Sequence, residues 1–208
     1  APWMLKPRIG ASSMGIRKLY EPEAVWRAIS ELDAREAFHE TAAFHLLEHF
    51  IPGDVYHVDS LVDGGKILFA SVERYGAPPF EVTHFGGVTI SHTVKRGSQV
   101  QRALLALNKE LLKGFAFERG VTHAEFIHRV DDEKSKNQFY FLEVAARVGG
   151  AYTAETIAAA SGINLWREWA RIELATAERP YTLPPVRQEY AGIAVSLARQ
   201  EHPDTSGY

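Results

Sequence analysis

The chain contains no cysteine in its 208 residues, which excludes disulfides, thiolate catalysis and cysteine zinc sites. It has no apolar run approaching a membrane span, and its first residues do not read as a signal peptide. It also lacks any excess of positive charge: 23 basic against 26 acidic side chains give a net charge of −3, so nothing general attracts nucleic acid. No Gly-x-Gly-x-x-Gly occurs, so a Rossmann dinucleotide site has no support. Gly10 and Gly15 have the Walker A spacing, but Ile16 stands where that loop needs lysine. No metalloprotease-type histidine spacing falls on a helical segment, no Ser/His/Asp set has nucleophile context, and no internal repeat is present. What remains is the composition of a soluble globular protein, 46% hydrophobic and 24% charged, expected in the cytoplasm without a nucleic-acid or membrane partner.

The most informative stretch runs from Phe139 to Gly150, FYFLEVAARVGG. It is a β-rich apolar run carrying one carboxylate, Glu143, then Arg147, then a glycine pair before a helix-like segment. Upstream, Val121 to Ile127 is a second apolar strand with Glu125 in it, and the polar residues Asp131 to Asn137 would close a hairpin. Two acids on paired strands beside an arginine suit a divalent cation holding a phosphorylated ligand, because hard cations take oxygen ligands and keep phosphate oxygens in their shell. The plain alternative is a pair of rim carboxylates on an ordinary hairpin.

The beginning of the chain has the residues of an anion-binding loop. Trp3 to Pro7 is a short strand bearing Lys6, followed by a Gly10–Gly15 loop with Ser12 and Ser13, then a strand from Ile16 to Tyr20. Glycines let main-chain N–H groups turn toward an anion, serine hydroxyls add donors, and a lysine is a point charge suited to phosphate. A plain turn has the same composition. Further on, Leu46 to Asp54 (LLEHFIPGD) is a strand cut off by Pro52-Gly53 before a new strand, Val55 to Val62.

With these three motifs in this order, residues 1 to about 175 resemble the ATP-grasp superfamily of carboxylate–amine ligases and their relatives, such as biotin carboxylase and carbamoyl phosphate synthase. The resemblance implies an α+β, ATP-grasp fold: a small α/β lobe over residues 1–53, and a larger antiparallel-sheet lobe with flanking helices over 54–208. It implies ATP and Mg²⁺, or Mn²⁺ in its place, bound between the lobes. Lys6, with Ser12 and Ser13 in the loop, would bind phosphate oxygens. Glu48 and Ile51 would offer backbone groups to the adenine, with His49 and Phe50 between them, and Asp54 would reach the ribose. Glu125 and Glu143 would ligate the metal, and Arg147 would contact the transferred phosphoryl group. One departure from the family pattern is Ala145, which stands where an asparagine usually adds an oxygen ligand.

The implied activity is ATP-dependent joining of a small-molecule carboxylate to an amine through an acyl phosphate. Bicarbonate activation, or a nucleotide-binding module without turnover, are the rival readings. The chain lacks an initiator Met and enters a strand at once, so it reads as the C-terminal part of a longer enzyme whose N-terminal domain is its partner. A homodimer is compatible with the resemblance.

Local patterning fills in the rest. A helix is expected from Glu23 to about Leu32, and a hairpin over 54–75 turning at Asp63 to Gly65. Tyr75 to Gly87 should be loop. An amphipathic helix is expected over 99–118, with Val100, Ala103, Leu104, Leu107, Leu111 and Phe115 inward, ended by Gly120. Helices should follow at Tyr152–Ala160 and Leu165–Ala177, then a proline-rich segment at 181–187 and a strand at Gly192–Ala198. His49, His57, His123 and His128 fall on strands near the cleft and read as polar liners rather than metal ligands.

Overall fold

A computed structural model describes residues 2–36, 44–129, 138–196 and 202, with the side chains of 33–36 outside the description. Its β-branched and aromatic runs form two antiparallel sheets. β1 (Trp3–Pro7), β2 (Arg17–Leu19) and β3 (His45–His49) make the first, with β1 central. β4 (Gly53–Asp63), β5 (Lys66–Tyr75), β6 (Val88–Thr93), β7 (Arg119–Arg129), β8 (Phe139–Ala145) and β9 (Gly192–Ser196) make the second, in the order β8-β7-β4-β5-β6-β9. The helices are α1 (Pro22–Glu36), α2 (Pro79–Phe85), α3 (Gln99–Gly114), α4 (Thr153–Ser161) and α5 (Leu165–Glu173). The architecture is α+β, and no helix among the described residues is long and apolar enough to cross a membrane.

β4 organises the larger sheet. It pairs with β5 on one side and along its whole length with β7 on the other, and every residue from Val55 to Val62 is buried. A strand covered on both faces needs apolar or satisfied side chains at every position. On one face Tyr56, Val58, Val72, Ala124 and Phe126 pack with Leu104 of α3. On the other, Leu61, Phe69 and Val121 pack with Ala154, Ile157, Leu165 and Ile172 from α4 and α5. That second face does not stay apolar: along the same alternate positions lie His57, Asp59, His123 and Glu125, all buried.

Several local expectations need correction. The helix expected over 99–118 stops at Gly114, because the chain turns at Ala116 (φ 48°) and β7 opens at Arg119. Its inward face agrees with the expected one at Val100, Leu104 and Leu111, which pack on the core, and departs from it elsewhere. Leu104, Asn108 and Leu112, four residues apart, are the buried positions, whereas Leu107 and Phe115 are exposed. A polar residue holds the middle of that stripe because the Asn108 amide donates to Ser60 Oγ at 2.8 Å. The segment expected to be loop carries α2, with Pro79 at its start, and β6 follows it unforeseen. α5 ends at Glu173, short of Ala177. The turn at 131–137, and residues 197–198 of the last strand, lie outside the described residues.

Candidate functional site

Two adjoining cavities, of about 410 and 570 Å³, lie where the two sheets meet, and both are lined by Lys6, Ser13, Glu48, Leu142 and Glu143. The first is mainly apolar, walled by Met4, Val55, Phe80, Ile127 and Phe141, and runs along the segment His49–Gly53. The second is bounded by Arg8, Gly10, Met14, Ala145 and Arg147. A mainly apolar cavity continuous with one lined by Lys6, Arg8 and Arg147 is what a nucleotide base and its phosphates would need.

Lys6 sits at the junction. It is 8% exposed, and β1 pairs it with the third strand opposite Leu46. Its Nζ lies 2.8 Å from Glu48 Oε2 and donates to the Leu142 carbonyl at 3.0 Å. That carbonyl is available because of a register break: Glu125 pairs with Glu143, but Phe126 pairs with Phe141, so Leu142 is the extra residue of a bulge. The lysine therefore ties the small sheet to the strand bearing Glu143.

Glu125 and Glu143 are register partners on adjacent antiparallel strands, so their side chains leave the same face and stand side by side. Like charges directly opposed are unfavourable. Glu143 accordingly has its carboxyl raised, first by withdrawal from water and then by the charge of Glu125. Burial would raise Glu125 as well, but hydrogen bonds and charge from His123 outweigh it, with help from Tyr75, so its carboxyl is lowered. Two carboxylates set opposite each other in this way offer oxygens that fit a hard divalent cation.

Behind Glu125 the polar band continues across four strands. The Tyr75 hydroxyl donates to Glu125 Oε1 at 2.9 Å, and His123 Nε2 lies 3.2 Å from that oxygen. His123 Nδ1 donates to Asp59 Oδ1 at 2.8 Å, and His57 Nδ1 to Asp59 Oδ2 at 2.6 Å. His57 Nε2 lies 2.9 Å from Ser91 Oγ, whose hydroxyl donates to Glu73. Burial pulls the His123 ring down, but the Asp59 carboxylate and its hydrogen bond push it up to about 10. Burial alone would raise Asp59; the two imidazoles overcome it and hold its carboxyl well below the usual range. Glu73, with burial its largest influence, is pushed up to about 7. The phenol of Tyr75 is raised, by burial first and by Glu125 second. Gly149 closes over this group, where a side chain would strike His123 and Asp59.

The sequence-derived candidates divide as follows. Glu48, His49, Phe50 and Ile51 line the first cavity, Glu125 borders it, and Glu143 borders both. Arg147 lines the second, with Nη1 donating to the Val148 carbonyl at 2.9 Å. Ser13 lines both cavities, while Ser12 lines neither; the two are consecutive left-handed residues, φ 56° and 55°, a strained arrangement that clusters at binding loops. Asp54 is a correction. Strand alternation turns Gly53 and Val55 to the cavity and Asp54 away from it, where its carboxylate pairs with Arg74 at 2.8 Å.

Of the four histidines read as liners, only His49 lines a cavity. His57 and His123 are buried in the band, and His128 stacks on Phe139 with ring centroids 4.7 Å apart. The sequence reading missed the Phe80 wall and the whole band. Ionisable residues two apart within the buried runs of two strands, 57 and 59, then 123 and 125, were the signal.

The family model of the ATP-grasp domain matches residues 1–155. The chain is 22% identical over 173 residues to the L-arginine-specific L-amino acid ligase of Bacillus subtilis, an alignment covering 83% of this chain and 40% of that protein. The crystal structure of an L-amino acid ligase from Bacillus licheniformis superposes with a TM-score of 0.65 at 20% identity, covering 92% of this chain and 44% of that one. A biotin carboxylase–β,γ-ATP complex from Campylobacter jejuni gives 0.67 at 15% identity, covering 92% and 41%. The chain thus spans less than half the length of each of these proteins, and the structural likenesses show a shared fold.

Proposed function

The chain belongs to the ATP-grasp domain family, and from that premise we propose that it binds Mg-ATP between a small lobe, residues 1–53, and a larger lobe, 54–208, as the nucleotide site of a carboxylate–amine ligase. The observation that carries this reading is the convergence of Lys6, the 48–51 segment and the opposed pair Glu125 and Glu143 on one continuous cleft.

In this reading the adenine enters the apolar cavity against Phe80 and Val55, and the backbone at Glu48 and Ile51 meets its polar edge. Lys6 and Ser13 hold phosphate oxygens. Glu125 and Glu143 hold Mg²⁺, which when bound supplies positive charge to the phosphates. Arg147 neutralises charge on the transferred phosphoryl group in the second cavity. Such transfer asks little covalent chemistry of the protein; positioning and charge are what it contributes. A carboxylate oxygen would take the γ-phosphoryl group and release ADP; an amine would then attack the acyl carbon, lose a proton and expel phosphate. The Bacillus relatives support an amino acid as the carboxylate. Ala145 supports the rival reading of a nucleotide module without turnover, because it leaves the oxygen set one ligand short of the family pattern.

The test is calorimetric titration of Mg-ATP into the wild type and Lys6→Met, followed by a screen of amino acid pairs for phosphate release. Loss of a charged hydrogen bond should weaken nucleotide binding by about 1.5–3 kcal/mol. Equal affinities would remove the nucleotide site. Binding without phosphate release from any pair would leave the module reading.

A further inference from the structure

We propose that Asp59, His123 and Tyr75 are positioning residues for Glu125: Asp59 fixes the His123 ring, and ring and phenol together hold one carboxylate oxygen so that the other faces the cleft. This rests on Glu125 being a divalent-cation ligand, as argued above.

The geometry is specific. β4 and β7 place Asp59 opposite His123 and His57 opposite Glu125, so the donors and acceptors alternate along two adjoining strands. Asp59 is wholly buried and has an imidazole on each oxygen, at 2.6 and 2.8 Å. Its orientation is thereby determined, and it determines that of His123. The opposite edge of the ring then reaches Glu125 Oε1 at 3.2 Å, the same oxygen that accepts from Tyr75 at 2.9 Å. Among the described residues no hydrogen bond is made to Oε2. Two polar groups against one oxygen, the Tyr75 hydroxyl at 2.9 Å and the His123 ring at 3.2 Å, and none against the other give the carboxylate a fixed direction. A cation ligand benefits from this, because its oxygen is then held in place before the ion arrives. A network serving only to satisfy buried polar groups would have no reason to gather on one oxygen of a cavity-lining carboxylate and leave the second without a partner. The close approach of Gly149, where a Cβ would lie 2.7 Å from His123 Nδ1 and 3.0 Å from Asp59 Oδ1, keeps the ring pinned from above.

Asparagine and glutamine substitutions separate positioning from mere filling. An asparagine at 123 places its amide near the Nδ1 position and can serve Asp59 alone, whereas a glutamine reaches the Nε2 position and can serve Glu125. The probe is Mn²⁺ with a non-hydrolysable ATP analogue, its affinity read by electron paramagnetic resonance, with melting temperature recorded for each variant. Loss of an outer partner typically costs about tenfold or more in metal affinity, so His123→Asn should lose about tenfold and His123→Gln no more than about threefold. Tyr75→Phe should lose affinity severalfold, and combining it with His123→Asn should cost more than the product of the two, since each donor covers for the other. If His123→Asn and His123→Gln lose the same affinity, or neither loses any while Glu125→Gln does, the positioning role is wrong and the metal assignment survives. If Glu125→Gln itself leaves Mn²⁺ affinity unchanged, the metal assignment fails and the proposal falls with it. Should His123→Asn not fold, Tyr75→Phe against Glu125→Gln decides the same question: an unchanged affinity in Tyr75→Phe overturns the clamp.

Discussion

The adjacent glycines Gly149 and Gly150 should respond oppositely to the same substitution. Neither needs a left-handed backbone, so the outcome depends on space. A Cβ on Gly149 would lie 2.7 Å from His123 Nδ1, and 3.0 Å from both Asp59 Oδ1 and Thr153 Cγ2; on Gly150 it would meet nothing within 4 Å. The atoms facing Gly149 cannot retreat cheaply, because His123 and Asp59 are fixed to each other at 2.8 Å and buried. Forcing a methyl group into a packed interior costs about 1–3 kcal/mol, while restricting the unfolded chain returns about 0.4–1 kcal/mol. Gly149→Ala should therefore destabilise by about 1–2 kcal/mol, and Gly150→Ala should stabilise by up to about 1 kcal/mol. At about 2–4 °C per kcal/mol for a chain of this size, the melting points should move in opposite directions and differ by several degrees. Scanning calorimetry, checked by the urea midpoint at unchanged slope, measures both. A Gly149→Ala protein as stable as Gly150→Ala would refute the view that His123 and Asp59 are locked.

Two further outcomes follow from buried charge. Glu73 has its carboxyl raised from 4.5 to about 7, so the folded state holds that proton more tightly; its contribution is complete below pH 4.5 and is lost as pH rises through about 7. Melting temperature should fall between pH 5 and 7, and Glu73→Gln should flatten that slope; an unchanged slope in the mutant would show that another group titrates. Glu168, wholly buried, receives Arg167 at 2.7 Å, Arg171 at 2.9 Å and the Tyr181 hydroxyl at 2.9 Å. The arginines are about half exposed, so screening places Glu168→Gln toward the lower end of the 1.5–3 kcal/mol for a charged hydrogen bond, about 1.5 kcal/mol. Faster proteolysis near Tyr181 is the check, and unchanged cleavage there would mean that Glu168 does not hold that segment.

How legible these features were depended on how local they were. The opposed glutamates could be read because each was the lone acid in its own apolar run, and a hairpin was expected to place the runs side by side. The buried band could not be read that way. Asp59 and His123 are 64 positions apart, and a period-2 pattern says which face a residue takes but not which strand lies beside it. His57 and His123 therefore looked like separate liners. α2 was hidden by its own punctuation: the prolines at 78 and 79 and the glycines at 86 and 87 suggest a loop, yet proline in the first turn and glycine after the last also bracket a short helix. On α3 the apolar residues cover more than one face, and tertiary packing chose the one through Asn108, whose amide had Ser60 to meet.

The bulge at Leu142 shows the same division more sharply. Nothing in the run FYFLEVA departs from an ordinary strand; it carries no glycine to permit a kink and no proline to force one. The extra residue exists only relative to β7, whose Glu125 meets Glu143 while Phe126 meets Phe141. Were the pairing regular, Leu142 would lie opposite Phe126 within the ladder. With the bulge, its carbonyl instead accepts from Lys6 at 3.0 Å, a lysine that also meets Glu48 at 2.8 Å. One register irregularity thus connects the strand of Glu143, the loop-bearing strand of Lys6 and the segment at Glu48. The sequence named all three. What it could not contain was the long-range pairing that brings them to one point, because that pairing is a property of two strands and not of either one.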